Sequence, residues 1–230
     1  MRRILVFVLL FCLSSCWFDA VQFNSEKSDF NKVETEIKWA SILTTENFVS
    51  PWDSRTFGKT TFQYTNDKDW LYFLFVVKDE DIVLNTDETN KELGVLEADR
   101  VELFFAVDSL MQTYYTFEMG VSGNLFDAKC FLKNNGNKAT KVVDSNWDIP
   151  KNVLHFTSAI ITKGYKVEGK LSINFLNKMN LIEDNKINCA ILRANFYSQS
   201  KPQWICHKNP KLDRPEFHCW EVFEQLHLKY

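Results

Sequence analysis

The residues best suited to ligand chemistry lie in one short run, Asp-Arg-Val-Glu-Leu-Phe-Phe at positions 99–105. Side chains alternate between the two faces of a β-strand, so Arg100 and Glu102 share one face with Phe104, while apolar residues fill the other. An arginine and a carboxylate beside an aromatic ring form a rigid polar surface that can hydrogen-bond hydroxyl groups. Carbohydrate is therefore the first ligand class to test.

Two further charged residues are candidates for the same surface. Glu118 falls in the next predicted strand, and Arg193 lies within another, in the sequence Leu-Arg-Ala-Asn. We expect Arg193 to be the partner of Glu118 across one sheet face, where a planar guanidinium group would suit a sugar or a uronic acid. The structural alternative is that these charges pair with one another, which contributes only about 0–1 kcal/mol when a pair is exposed.

A sugar site also needs a flat aromatic surface against which the apolar face of a sugar ring can stack. Four aromatic residues are candidates because they lie in proline-containing loop segments and not at regular strand positions. They are Trp52, Trp204, Phe217 and His218. Trp204 is favoured, since it falls in the most irregular part of the chain. With twenty Phe and seven Trp, core packing is the alternative for each of them.

Short alternating runs separated by polar turns predict many strands. The fold class that follows is all-β, an antiparallel β-sandwich of jelly-roll-like type with little helix. Weak helical patterns occur only at 87–93 and 174–181. Long loops in compact domains often carry binding residues, so we expect the irregular stretches 78–98 and 198–215 to form the walls of the site. The predicted strands are 36–42, 60–64, 70–78, 99–107, 114–121, 125–131, 153–162, 165–173, 187–196 and 221–228.

The amino terminus has the pattern of an export signal. Two arginines precede an apolar run at 4–13, which is far shorter than the roughly 20 residues that cross a bilayer. Leu-Ser-Ser before Cys16 resembles a bacterial lipobox, in which the cysteine becomes the acylated first residue; an ordinary signal peptide that leaves Cys16 incidental is the alternative. We therefore expect a signal peptide at 1–15, a lipid-anchored linker at 16–32 and one β-sandwich domain at 33–230. The protein would be exported and anchored at the bacterial cell envelope, at the outer membrane.

Composition supports a packed domain and excludes some partners. Hydrophobic residues make up 45% of the 230 residues, far more than in a disordered tether, and the net charge is only −3. Without a clustered basic face, nucleic acid is not an expected partner. Among the later cysteines, a disulfide between Cys206 and Cys219 is favoured, with free buried thiols at these positions and at Cys130 and Cys189 as the alternative.

Five groups of short motifs follow one another along the chain. They are Trp-Leu-Tyr-Phe at 70–73 with Val-Lys-Asp at 77–79, the run at 99–105, Phe-Glu at 117–118, Gly-Tyr-Lys-Val-Glu at 164–168 and Pro-Glu-Phe-His at 215–218. Their order resembles family 9 carbohydrate-binding modules, and more closely the stand-alone family 9-like proteins of Bacteroidetes-type bacteria, over roughly 48–228. The resemblance implies a β-sandwich that binds sugars without catalysis, in a family often attached to xylan-degrading enzymes.

The resemblance also implies where a ligand would lie. In the best-understood form of the family, a sugar ring stacks between two tryptophans and charged side chains on the sheet hold its hydroxyl groups. By position, Glu102 matches a ligand-contacting carboxylate and Phe217 lies near the second tryptophan. Leu96 stands at the first tryptophan and Glu118 stands where the family has an arginine, so half of the aromatic clamp is missing.

Calcium is the one cofactor that the resemblance brings into consideration, because some family members bind it. Asp79 and Asp81 offer hard oxygen ligands in an acidic loop, although such loops are usually just solvated. The expected partners are a poly- or oligosaccharide, glycan-degrading enzymes or uptake proteins, and the membrane through the lipid anchor.

Three other functions stay open beside non-catalytic glycan binding in carbohydrate catabolism. A glycoside hydrolase could use Glu102 and Glu118, since such carboxylate pairs need a separation of about 5–10 Å and have no sequence signature. Related sandwiches bind haem through methionine and histidine ligands, and a scaffold that binds another envelope protein is the third alternative. The residues that could ligate haem are Met111, Met119, His155 and His218.

Overall fold

Two antiparallel sheets pack face to face in the computed structural model, which describes residues 22–24, 37–85, 89–135, 138–144 and 146–229. The smaller sheet has the strand order β1-β8-β9-β3-β2 and the larger sheet β10-β11-β4-β5-β6-β7, with β12 and β13 also paired to β11. The strands are β1 (Gln22–Asn24), β2 (Thr60–Asn66), β3 (Trp70–Lys78), β4 (Arg100–Ala106), β5 (Tyr114–Gly120), β6 (Leu125–Asn135), β7 (Lys138–Asp144), β8 (Leu154–Ile161), β9 (Gly164–Ser172), β10 (Ile182–Glu183), β11 (Lys186–Tyr197), β12 (Ser200–Cys206) and β13 (Phe223–His227), and the helices are α1 (Lys91–Gly94) and α2 (Ile173–Lys178). In this part of the chain neither helix has the length and apolarity of a membrane span.

The inner core between the sheets decides which side chains of β4 face outward. Val101, Leu103 and Phe105 of β4 pack in one cluster with Phe73 and Phe75 of β3, and all five are buried. Burying a side chain of this size contributes about 1.5–3 kcal/mol, so a one-residue slip of β4 would be very costly. The charged residues of β4 are therefore held on the outer face of the larger sheet.

That outer face is covered by the loop at 207–219. Apolar side chains of the sheet and of the loop form a second buried cluster there. The Tyr114 hydroxyl of β5 lies 2.9 Å from His218 Nδ1 in the loop, and the Trp52 indole nitrogen donates a hydrogen bond of 2.8 Å to the carbonyl of Leu212. The loop is thus fastened both to the sheet and to the segment that carries Trp52.

A buried arginine links the two sheets with polar contacts. Arg193 of β11 is 0% exposed, and its guanidinium group donates to Asp79 Oδ2 at 2.7 Å, to the Gly58 carbonyl at 3.1 Å and to Thr60 Oγ1 at 3.2 Å. Asp79 directly follows β3 and Thr60 begins β2, both in the smaller sheet, whereas β11 belongs to the larger one. The ion pair therefore crosses the interior of the sandwich.

The all-β antiparallel sandwich expected from the sequence is confirmed. One predicted strand is wrong: in the described part of 36–42, residues 39–41 form a 3₁₀ turn. The Gln63 side chain donates to the carbonyls of Trp39 and Ile42 at 2.8 Å each, so side-chain bonds take the place of a strand ladder. Sequence reasoning also missed β7 and β12, which are rich in polar residues, and the very short strands β1 and β10.

The amino-terminal predictions fall almost wholly outside the described residues. The signal peptide at 1–15 and the anchor Cys16 are among them, so both stay predictions. Within the predicted linker at 16–32, residues Gln22–Asn24 form β1 and pair with β8 at the edge of the smaller sheet.

The predicted disulfide between Cys206 and Cys219 is wrong. The four cysteines in the described residues are all free thiols, and Cys130, Cys189 and Cys206 are buried. Cys206 ends β12, where its backbone bridges Val49, while the Cys219 thiol contacts the carbonyl of Glu216 at 3.3 Å. Cys130, Cys189 and Cys206 thus act as small apolar groups of the core.

Replacing Arg193 by methionine should lower the free energy of unfolding by about 3–5 kcal/mol, because Asp79 would keep a buried charge without its partner. Urea denaturation followed by fluorescence measures this loss. The matched control is Lys163→Met, since Lys163 forms an exposed pair with Glu80 at 3.8 Å and should change stability by less than about 0.5 kcal/mol. A loss below about 1 kcal/mol for Arg193→Met would contradict a structural role for this ion pair.

Candidate functional site

A cavity of about 580 Å³ lies on the outer face of the larger sheet, beneath β12 and the covering loop. The strands β4, β5, β6 and β7 supply its floor, and we call it the central cavity. Its walls contain acidic, basic and aromatic side chains together, which is the mixture that recognises polar ligands with an apolar face. The lining residues are Leu96, Arg100, Glu102, Thr116, Glu118, Phe126, Cys130, Lys141, Val143, Trp204, Pro215, Glu216, Phe217 and His218.

One arginine and two carboxylates meet on the floor of this cavity. In the pairing of β4 with β5, Glu102 lies directly opposite Glu118, and Arg100 is two residues from Glu102 on the same face. Arg100 Nε donates to Glu118 Oε2 at 2.7 Å and also lies 2.9 Å from Glu102 Oε1. The guanidinium group also donates to the carbonyl of Leu96 at 3.2 Å, which fixes the arginine against the wall.

Burial and mutual repulsion shape the electrostatics of this group. Burial raises the pKa of Glu102, and the Glu118 carboxylate raises it further. Burial likewise raises the pKa of Glu118 above its ordinary value. Burial disfavours the charged form of Arg100, but the two carboxylates outweigh this and raise the pKa of Arg100. The arginine therefore stays a cation, while the two carboxylates compete for one counter-charge.

Two buried polar atoms of the floor accept no hydrogen bond from the described residues. Glu102 Oε1 is close to Arg100 Nε, yet the N–H is directed at Glu118, and Glu102 is only 1% exposed. Thr116 Oγ1, two residues before Glu118 on β5, has only the weakly polar thiol of Cys130 beside it in the described chain. A buried polar atom without a partner costs about 1–3 kcal/mol. Donors on a ligand would remove this cost.

The roof of the cavity is aromatic. Trp204 of β12 is half-buried, and its ring centroid lies 5.6 Å from Arg100 Cζ. Phe217 is buried and meets the Trp204 ring edge to face at 5.5 Å. Burial, with added repulsion from Lys141 and Arg100, lowers the pKa of His218 to about 3, so its imidazole is neutral. Of these three rings Phe217 is buried, whereas Trp204 and His218 are both half-buried and so are partly open to a ligand.

The structure brings six of the seven predicted ligand residues together around the central cavity. They are Arg100, Glu102, Glu118, Trp204, Phe217 and His218. Whether they contact a sugar stays a prediction. Leu96 comes from the expected wall at 78–98. Trp204 was expected in an irregular loop at 198–215, and this is wrong, because it lies in strand β12 opposite Ala194.

Arg193 is the exception, and its predicted pairing with Glu118 is wrong. In the pairing of β11 with β4, Arg193 lies opposite Val101, which faces the inner core, whereas Leu192 lies opposite Glu102. Arg193 therefore points to the other side of the sheet, where it binds Asp79.

Sequence reasoning missed several residues of the cavity. Thr116 shares the outer face of β5 with Glu118, so the two-residue period could have found it. Phe126 lies opposite Glu118 in β6, and the turn at 121–124 was a usable signal for that pairing. Lys141 comes from β7, whose residues show no clear strand pattern.

The predicted calcium ligands are hydrogen-bonded to other parts of the chain. Asp79 binds Arg193, and Asp81 accepts bonds of 3.3 Å from the backbone and the hydroxyl of Ser198. A different set of carboxylates, Glu92, Asp127 and Asp148, has one oxygen from each within 4.8 Å of the others in the described chain. Carboxylate oxygens are the ligand type that calcium prefers, and calcium binding itself stays a prediction.

The residues that could ligate haem do not form one site. Met119 lies in the inner core, and His155 lies on β8 of the smaller sheet. Met111 and His218 both line another cavity, which lies beside the central one. His218 Nδ1 is already within hydrogen-bond distance of Tyr114.

Solved structures with the same architecture include sugar-binding modules. A proposed carbohydrate-binding protein from Bacteroides uniformis matches with a TM-score of 0.59 at 14% identity, covering 83% of this chain and 88% of that one. A family 9 carbohydrate-binding module from Caldicellulosiruptor kristjanssonii, solved in complex with glucose, matches with a TM-score of 0.52 at 15% identity over 90% and 94% of the two chains. Its complex with cellotriose gives 0.50 at 15% identity over 90% and 88%. At identities this low, the TM-scores establish a shared fold and nothing more.

The sequence itself gives the family. Curated protein sequences yield no match to this chain. The family model described as "Carbohydrate family 9 binding domain-like" matches residues 31–202, which include β2 to β11 and the floor of the central cavity. The chain therefore belongs to the carbohydrate family 9 binding domain-like family, and its fold is that of a carbohydrate-binding module.

Proposed function

We propose that the protein binds a poly- or oligosaccharide non-catalytically, with one sugar ring in the central cavity. The observation that carries this proposal is the pair of buried acceptors, Glu102 Oε1 and Thr116 Oγ1, beneath the half-buried indole of Trp204. Sugar hydroxyl groups would donate to these acceptors, and the apolar face of the ring would stack on the indole. The glucose and cellotriose bound by the Caldicellulosiruptor module support this ligand class.

The charges of the cavity favour neutral sugars over uronic acids. Glu102, Glu118 and Glu216 line it, against the cations Arg100 and Lys141. An anionic sugar would add a charge beside carboxylates that already share one guanidinium group. Arg193, the residue expected to suit a uronic acid, faces the opposite side of the sheet and does not line the cavity.

The arrangement of the carboxylates supports binding without hydrolysis. A glycoside hydrolase places its two carboxyl groups on either side of the scissile bond. Here Glu102 and Glu118 lie side by side on one surface, and both contact the same nitrogen of Arg100. We therefore propose that neither acts as a general acid or nucleophile.

At the cell envelope, binding would keep glycan close to partner hydrolases or uptake proteins and so support carbohydrate catabolism, for which xylan is one candidate polymer. The proposed export and anchoring depend on the sequence at 1–16.

Replacing Trp204 by alanine should weaken binding about tenfold on each polysaccharide that the wild type retains, because the stacking surface is lost. Affinity electrophoresis against glucans, xylans and mannans measures the retention. The matched control is Trp70→Ala, which removes a half-buried tryptophan from the smaller sheet and should leave retention unchanged.

Absence of retention on every polysaccharide would favour a protein-binding scaffold instead. The same panel, assayed for newly formed reducing ends, should stay at background. Sustained release that disappears in Glu102→Gln would show that the protein is a hydrolase.

Glu102→Gln should separate stability from binding. The amide has nearly the same shape but no charge. Burial, with repulsion from Glu118, raises the pKa of Glu102 to about 8, so the comparison is made at pH 9, where the carboxylate is ionised. There the free energy of unfolding should rise in the variant, while sugar affinity falls about fivefold because an amide oxygen accepts weaker hydrogen bonds than a carboxylate. Folding raises the pKa of Glu102, so the wild type should lose stability as pH rises above the ordinary carboxylate range, and the variant should lose less.

Chemical denaturation at several pH values and calorimetric titration together measure this separation. Glu80→Gln, at an exposed carboxylate, is the matched control and should alter neither quantity. Equal losses of stability and binding in Glu102→Gln would instead indicate a structural role for Glu102.

Replacing Cys16 by serine in the full chain should abolish incorporation of labelled palmitate in a bacterial host, because the acylated thiol is removed. The protein should then move from the membrane fraction to a soluble one. Palmitate labelling that persists in Cys16→Ser would contradict the proposed anchor.

A further inference from the structure

A second cavity adjoins the central one on the far side of Trp204. Its volume is about 470 Å³, and we call it the side cleft. It combines two half-buried indoles with charged side chains, which again suits a ligand that is apolar on its faces and polar at its edges. Its lining residues are Trp52, Asp53, Arg55, Lys201, Pro202, Trp204 and Pro215.

The two cavities share a wall. Trp204 and Pro215 line both of them, so a ligand that passes over the edge of the Trp204 indole can occupy both. Phe217 supports this wall from below: its ring lies 5.5 Å from that of Trp204 and 6.1 Å from that of Trp52. Because Phe217 is buried, the two indoles are held at fixed positions relative to each other.

The polar side of the side cleft is held in place by a local network. Arg55 forms a bidentate pair with Asp53 and donates to Ser200 Oγ at 2.8 Å and to the Lys201 carbonyl at 3.0 Å. The Gln203 side chain donates to the Arg55 carbonyl at 2.9 Å. The segment that carries Trp52 is therefore bound to β12 before any ligand arrives, which reduces the entropy lost on binding.

The charge balance of the side cleft favours a neutral ligand. Asp53 and Arg55 form an ion pair and neutralise each other. Their mutual hydrogen bonds lower the pKa of Asp53 and raise the pKa of Arg55, so both groups stay ionised. Lys201 remains as an exposed donor at the rim. A neutral polyhydroxyl ring can accept from this ammonium group while it stacks on an indole.

We propose that the side cleft is a second sugar subsite, which takes the next ring of the oligosaccharide whose first ring lies in the central cavity. Trp52 supplies its stacking surface and Lys201 donates to a hydroxyl group at its rim. This proposal rests on the proposed function, and it states in addition that the preferred ligand is a chain of at least two rings and not a single sugar.

The test compares ligands of different length on the full domain. The probes are glucose, cellobiose and cellotriose, together with the mono-, di- and trisaccharide of every other polysaccharide that the wild type retains. Calorimetric titration should show the disaccharide binding at least fivefold more tightly than the monosaccharide. Trp52→Ala should weaken trisaccharide binding about tenfold and change monosaccharide binding by less than twofold, while Trp52→Phe keeps most of the affinity.

Two controls keep the test decisive. Trp70→Ala should leave the affinities for both lengths unchanged. If Trp52→Ala does not fold, Lys201→Ala replaces it: this variant, at an exposed position, should weaken the binding of the longer ligands alone by about two- to threefold. Equal wild-type affinities for mono- and trisaccharide, or equal losses for both in Trp52→Ala, would overturn the second subsite and leave the central one standing. No binding of any saccharide would overturn the proposed function, and the subsite with it.

Discussion

The site depends on a single arginine buried between two carboxylates. Removing charges from water costs several kcal/mol for each ion, and one guanidinium group cannot fully compensate two carboxylates. Arg100 gains further bonds to backbone carbonyls of the wall, whereas Glu102 keeps an oxygen without a donor. Such an arrangement weakens the folded state slightly; in the proposed function it would provide a preorganised set of acceptors that need not move when a sugar binds.

The pairing of β4 with β5 is what assembles this group, and it was accessible from the sequence. The two-residue period placed Arg100 and Glu102 on one face, and a short connection to the next strand brought Glu118 opposite. The same period could have added Thr116. Strands with a strong apolar pattern, such as β3 and β11, were predicted close to their observed bounds.

The failures have a common physical cause. Whether a strand residue faces inward or outward depends on its register against the neighbouring strand. For Arg193 that register is set by β4, where Val101, far away in the chain, lies opposite. A buried charge there was not expected, because the sequence does not show that Asp79 lies within 2.7 Å. β7 and β12 are stabilised by pairing with adjacent strands more than by their own polar sequences, so propensity could not find them.

Phe217 has a consequence for how this protein can change over evolutionary time. Its phenyl ring contacts both the Trp204 indole, which separates the two cavities, and the Trp52 indole of the side cleft, so a substitution there disturbs two neighbouring surfaces at once. Divergent descendants would then be expected to alter Trp52, Trp204 and Phe217 together, as one inherited unit. Residues at the rim, such as Lys201, are not part of this unit of three rings. They can be substituted one at a time, and such substitutions would change which sugar is preferred.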